Sequence, residues 1–194
     1  MKKLSFVILA AFSVYALQGC SGGTKSTQST DSVTTKDSST KVVTKTDSIK
    51  VDSSDAKFAT TAAGGGMAEI QFSSLAQQKT SNTNIRSFAA MMVKDHSAAG
   101  DSLAAIAKKK GISLPATLDA AHQKKYDDLN KLSGAAFDKA YVDVMISDHG
   151  DALKLMQDAA ANCKDADLKA FAGKTAPVVQ AHLDAINKIK DGMK

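Results

Sequence analysis

The chain has 194 residues and a mass of 20.2 kDa, which accommodates one domain of ordinary size together with appended segments. It is 43% hydrophobic but only 5% aromatic and has no tryptophan, a composition that favours a helical domain and argues against an all-β fold. The formal net charge is +5, yet lysines alternate with aspartates instead of forming a basic patch. We therefore expect no nucleic-acid partner.

The first nineteen residues predict a lipoprotein signal peptide. Two lysines precede an apolar run over residues 4–17, which is followed by Gln18-Gly19-Cys20. A small residue before a cysteine is typical of the bacterial lipobox, so we predict cleavage before Cys20, acylation of Cys20 and anchoring in the membrane without a spanning helix. Ser21 favours the outer membrane of the cell envelope, on its periplasmic or surface side. The alternative is cleavage elsewhere, with Cys20 unmodified.

Residues 20–55 predict a flexible tether. Positions 21–55 hold 17 serines and threonines, five lysines, five aspartates and no aromatic residue. Such a segment buries too little apolar surface to offset the entropy lost on ordering. The folded domain is therefore expected over residues 56–194.

Apolar residues recur with a helical period throughout residues 56–194. We predict a long helix over residues 56–79, a second that Ser81 or Asn82 caps and that ends at Gly111, a third that opens near Ser133, and a last one from about Asp165. A short helix over residues 117–131 lies in the connection between the second and third long helices. The expected fold is all-α, a ferritin-like four-helix bundle with this extra helix in the crossover.

The apolar faces of the four long helices each carry one polar residue of the metal-ligand type. Three of the four histidines and the single glutamate of the chain lie near the predicted helix midpoints. They are Glu69, His96, His149 and His182. If the helices are flush, these side chains converge in the middle of the bundle.

A repeated motif supports this convergence. Met92-Val93-Lys94-Asp95-His96 recurs 53 residues later as Met145-Ile146-Ser147-Asp148-His149. The repeat predicts that two histidines occupy pseudo-symmetric positions in one core. Asp95 and Asp148 point away from the apolar faces, where they become candidates for outer hydrogen-bond partners of histidines on other helices.

Two interpretations of these four residues remain open. Imidazole and carboxylate groups bind transition metals such as Zn, Fe, Cu or Mn, which predicts a metal site. Alternatively, Glu69 pairs with the histidines in a metal-free polar network that fixes the register of the helices.

Three further features receive structural interpretations. Gly64-Gly65-Gly66 lacks the lysine and the spacing of a phosphate-binding loop, so we expect close helix packing or a kink ahead of Glu69. His122, beside two lysines in the short helix, is expected to face solvent, and Cys163 is expected to be buried.

The same residues carry a family resemblance. The motifs are Gly65-Gly66-Met67-Ala68-Glu69-Ile70, Met92-Val93-Lys94-Asp95-His96, Ser133-Gly134-Ala135-Ala136-Phe137-Asp138 with Tyr141, Asp148-His149, and Pro177 with His182-Leu183. In this order they resemble the bacterial envelope family called domain of unknown function 4142. The resemblance implies an exported or lipid-anchored ferritin-like bundle and no established activity. The paired Glu-x-x-His motifs of ferritins are missing, which argues against di-iron oxidation.

Two functions from different classes follow. The first is a non-catalytic envelope module that binds a protein partner or contributes to stress tolerance. The second is a transition-metal-binding protein with its site in the bundle core. No serine, histidine and acid combination predicts a hydrolase nucleophile, and of the two functions we favour the non-catalytic envelope module.

Overall fold

A computed structural model describes residues 51–193, which form five α-helices and no β-strand. The helices are α1 (Ser53–Lys79), α2 (Thr83–Lys110), α3 (Ala120–Asn130), α4 (Gly134–Asn162) and α5 (Ala166–Asp191). The predicted all-helical fold is confirmed. No helix among these residues is both long and apolar enough to cross a bilayer. The predicted signal peptide, Cys20 and the tether up to residue 50 lie outside the described residues.

Side-chain caps set the beginnings of several helices. Asp52 accepts a hydrogen bond from the backbone of Ser54, and Asn82 and Asp165 cap α2 and α5 in the same way. Helix α1 therefore begins at Ser53, inside the segment that the sequence analysis assigned to the tether. At the other end of α2, Gly111 takes the left-handed conformation, with a φ of 66°, that commonly ends helices.

The four long helices form a bundle in which α1 and α5 each pack against α2 and α4. Its core consists of two apolar clusters, one around Phe72, Phe88, Tyr141 and Ile186 and the other around Phe58, Leu103, Met156 and Val179. The order of these residues along the chain shows that α1 and α5 run from the second cluster to the first. Helices α2 and α4 run the opposite way, so every packed pair of long helices is antiparallel.

The connection between α2 and α4 must return along the bundle because these two helices run in the same direction. Helix α3 lies within this connection and packs against α1 and α4. A crossover with one short helix was predicted at this place in the chain. Because of this crossover, an additional helix covers the side of the bundle that α1 and α4 form.

A buried carboxylate fastens the beginning of α1 to the turn between α4 and α5. Asp55 is 2% exposed, and its Oδ2 accepts hydrogen bonds from the backbone N–H groups of Lys164 and Asp165, at 3.0 and 2.7 Å. Hydrogen bonds to a charged acceptor are roughly twice as strong as neutral ones. This contact joins residues more than a hundred positions apart.

We expect Asp55→Ala to lower the free energy of unfolding by about 2–3 kcal/mol, because it strands two amide donors at a buried turn. Urea unfolding followed by circular dichroism measures this change. Asp158→Ala, at an exposed position of α4, is the matched control and should change stability by less than about 0.5 kcal/mol. Equal effects of the two substitutions would contradict a stabilising role for the hydrogen bonds of Asp55.

Candidate metal centre

A polar layer lies between the two apolar clusters. In α2, His96 follows Met92 of the first cluster and precedes Leu103 of the second. His149 in α4 and His182 in α5 occupy the same position between the clusters, and Glu69 joins the layer from α1. The structure thus brings together all four residues that the sequence analysis selected.

The three imidazole rings converge. Their ring centroids lie 5.4 to 5.7 Å apart, and one ligand nitrogen of each ring lies within 4.8 Å of those of the other two. His149 and His182 are 0% and 3% exposed, whereas His96 is partly buried. A tetrahedral zinc ion with bonds of about 2.0–2.1 Å requires nitrogens about 3.4 Å apart. Small movements of the rings therefore suffice to surround an ion.

Two of the three rings have an acceptor at the outer nitrogen. Nδ1 of His149 donates to the carbonyl oxygen of Met145 at 2.9 Å, and Nε2 of His182 lies 3.1 Å from Oδ2 of Asp95. Because these oxygens accept, the outer nitrogen of each of these two rings carries a hydrogen, and in the neutral form of the ring the inner nitrogen keeps its lone pair. This is the arrangement found around metal-bound histidines.

The opposite nitrogens are buried without a partner. Nε2 of His96, Nε2 of His149 and Nδ1 of His182 have no hydrogen-bond partner among residues 51–193. A buried acceptor without a partner costs about 1–3 kcal/mol. A bound cation would give all three nitrogens a partner and would explain why they lie together in one buried layer.

Glu69 lies behind two of the rings. Its Oε2 is 3.2 Å from Nδ1 of His96, and its Oε1 is 3.1 Å from Nδ1 of His149. The latter nitrogen directs its hydrogen to Met145, so Oε1 has no hydrogen bond of its own within the described chain. The sequence analysis proposed Glu69 as a fourth ligand; the structure places its carboxyl group at the outer nitrogens, outside the group of three converging ones.

The two aspartates of the repeated motif differ in their contacts. Asp95 reaches His182 on the neighbouring helix, at the kind of position expected for an outer partner. Asp148 instead accepts a hydrogen bond at 2.5 Å from Nζ of Lys125, because α3 lies over this part of α4. The sequence contained no signal for this pair, since the position of α3 depends on the path of the crossover.

Burial dominates the titration of this layer. It is the main cause that lowers the pKa of His96 to about 3 and that of His149 to about 4, with neighbouring imidazoles adding to both shifts. Burial, assisted by the charge of Asp148, raises the pKa of Glu69 to about 8. Near neutral pH the two imidazoles are therefore neutral, which is the form that binds metals.

A cavity of about 650 Å³ reaches the polar layer, and Glu69, His96 and His182 form part of its lining. Most of the other wall is apolar. The crossover contributes Leu114, Pro115, His122 and Lys125 to the lining. His122 was expected to face solvent; it is partly buried because α3 turns it toward the cavity.

The sequence profile of the family described as Domain of unknown function (DUF4142) matches residues 40–189. The chain belongs to this family. The resemblance noted in the sequence is thereby confirmed, while the family description specifies no activity. No curated protein matches the chain significantly.

Among solved structures, the chain is similar to the crystal structure of a DUF305 fragment from Deinococcus radiodurans. The TM-score is 0.64 at 10% sequence identity, and the match covers 72% of this chain and 96% of that one. A likeness at this identity supports the helical fold alone. This likeness therefore says nothing about the candidate centre of this DUF4142 protein.

The metal-free protein should be most stable near pH 6.5. Between pH 6.5 and 4.5 the unfolded chain binds two protons that folded His96 and His149 do not, while folded Glu69 keeps one that the unfolded chain loses. The net difference of one proton lowers stability by about 1 kcal/mol per pH unit on acidification. Between pH 6.5 and 8 only Glu69 differs, so stability falls as the pH rises. Urea unfolding with a chelator present measures both slopes.

Glu69→Gln tests the alkaline slope, since glutamine does not titrate. The variant should show a flat stability between pH 6.5 and 8 and a steeper decline below pH 6.5. A wild-type stability that does not change between pH 6.5 and 8 would contradict the raised pKa of Glu69.

Proposed function

We propose that this protein binds a transition-metal ion through His96, His149 and His182. Two observations carry the proposal: one nitrogen of each ring lies within 4.8 Å of those of the other two, and each ring has a buried nitrogen without a hydrogen-bond partner in the described residues. Acceptors at the outer nitrogens of His149 and His182 hold these rings in the tautomer that exposes a lone pair to the ion. Glu69 contacts Nδ1 of His96 and Nδ1 of His149, on the side of these rings that faces away from the proposed ion.

The donor set favours particular metals. Three imidazoles suit Zn²⁺, Cu²⁺ and Fe²⁺ better than the oxygen-preferring Mg²⁺ or Ca²⁺. A ferritin-like bundle is also our proposal for the fold, supported by the antiparallel packing and the single long crossover. The site differs from a di-iron centre because its converging ligands are three histidines.

The competing interpretation is a structural polar network without metal. In that case the four residues would only fix the register of the helices. The two interpretations differ in what the removal of one imidazole does. A structural histidine affects stability alone, whereas a ligand affects metal occupancy.

His149→Ala should lower metal affinity at least 100-fold, because one of three ligands is lost. Glu69→Gln should lower it about 10- to 100-fold through the weakened orientation of the rings. Elemental analysis and titration calorimetry of the full-length protein, loaded with Zn²⁺ or Cu²⁺, measure these changes. Metal should also raise the melting temperature of the wild type.

His122→Ala is the matched control, since this histidine lies outside the converging group; it should leave metal occupancy unchanged. If the loaded wild type contains no metal and melts at an unchanged temperature, the metal site is wrong. A loss of about 1–3 kcal/mol of stability in His149→Ala would then support the structural network.

We further propose that the protein is anchored in the cell envelope, and specifically in the outer membrane, through acylated Cys20. The support is the predicted signal peptide with Gln18-Gly19-Cys20 and the polar tether after it. The metal-binding domain would then lie some distance from the lipid surface. A protein partner would bind the domain at this position, away from the lipid surface.

Cys20→Ala should move the protein from the membrane fraction to the soluble fraction and abolish labelling with radioactive palmitate. Cys163→Ala is the control, because this second cysteine is buried in the folded domain and is expected to leave membrane association intact. A Cys20→Ala protein that remains in the membrane fraction would contradict lipid anchoring.

A further inference from the structure

We infer that the cavity beside the three histidines holds a small neutral molecule, whose donor nitrogen occupies the remaining coordination position of the metal and whose apolar body lies against the cavity wall. This inference rests on the proposed metal site. A three-histidine site leaves a fourth position open for an added ligand. His96 and His182 line the cavity together with Leu103 and Val179 of the second apolar cluster, so the cavity adjoins the polar layer on the side of that cluster.

The cavity has the size and the lining of a small-molecule site. Its volume of about 650 Å³ falls within the roughly 300–1,000 Å³ typical of ligand pockets, which are mostly apolar with a few polar groups. The polar groups here are concentrated at the metal layer and around the rim. The apolar wall includes Ala62, Ile70, Ala99, Leu103, Leu155 and Val179.

Gly65 and Gly66 of the glycine triplet in α1 keep part of this cavity open. A Cβ atom added at Gly65 meets no heavy atom of the described residues within 4 Å, and at Gly64 and Gly66 it meets only ordinary contacts at 3.8 and 3.7 Å. Close packing therefore does not require glycine there, and α1 continues through the triplet without a break. Each glycine weakens the helix relative to alanine. The space that larger side chains would occupy belongs to the cavity.

The charge of the wall selects against anions. Glu69, Asp95, Asp101, Asp148 and Asp151 line the cavity together with one lysine, Lys125, which gives a formal charge of −4. A divalent metal ion leaves the region with about −2. Neutral donors are therefore favoured over carboxylates or halide-like anions, even though the metal itself attracts negative charge.

The test uses the full-length protein loaded with Co²⁺, whose visible absorption reports each change in coordination. At pH 8 the protein is titrated with 4-phenylimidazole, with imidazole and with azide. We expect 4-phenylimidazole to bind at least tenfold more tightly than imidazole, because its ring buries apolar surface in the cavity. Azide, an anionic donor, should bind more weakly than imidazole.

Gly65→Phe should fill the cavity and reduce the affinity for 4-phenylimidazole at least tenfold, while the affinities for Co²⁺ and for imidazole change less than threefold. Gly65→Ala is the matched control and should keep the tenfold preference. If Gly65→Phe does not fold, Ala62→Leu fills the same space from the same helix and is judged by the same criteria.

The outcomes separate this inference from the proposed function. A wild type that does not bind Co²⁺ overturns both. A wild type that binds Co²⁺ but shows equal affinities for the two imidazoles, or prefers azide, overturns the inference on the cavity and leaves the metal site in place.

Discussion

The burial of three imidazoles in one layer of the bundle is the constraint on which the centre depends. A buried ring needs both nitrogens satisfied, and Glu69 of α1, Asp95 of α2 and Met145 of α4 each lie beside only one side of a ring. The outer partners orient the rings, and the unpartnered sides face one another. Leaving three buried nitrogens without hydrogen-bond partners costs free energy, and a bound cation would recover it.

The two apolar clusters on either side of this layer position the rings. Packing at Phe72, Tyr141 and Ile186 on one side, and at Leu103 and Val179 on the other, fixes the height at which each long helix presents its polar residue. In α2, α4 and α5 the polar residue lies between members of the two clusters, which places the three rings in one layer. Glu69 enters the same layer, but its carboxyl group reaches the outer nitrogens because His96 and His149 turn their other sides inward.

Much of this arrangement was predictable from helical periodicity. The apolar faces that carried His96, His149 and His182 also determined where the rings would lie, since each was near a helix midpoint. Periodicity does not specify rotamers, so the side of each ring that Glu69 approaches was not predictable. The pairing of Asp148 with Lys125 depends on the path of the crossover, and the start of α1 depends on Asp52, whose cap lay in a segment with a disordered composition.

The crossover has a consequence for how such a protein can diversify. Leu114 and Pro115, together with α3, form the outer cover of the cavity, whereas the histidines belong to the long helices beneath. Access and coordination are thus encoded in separate stretches of the polypeptide. Insertions or exchanges between residues 111 and 133 can therefore reshape the entrance of the cavity without displacing the three histidines that would bind the ion.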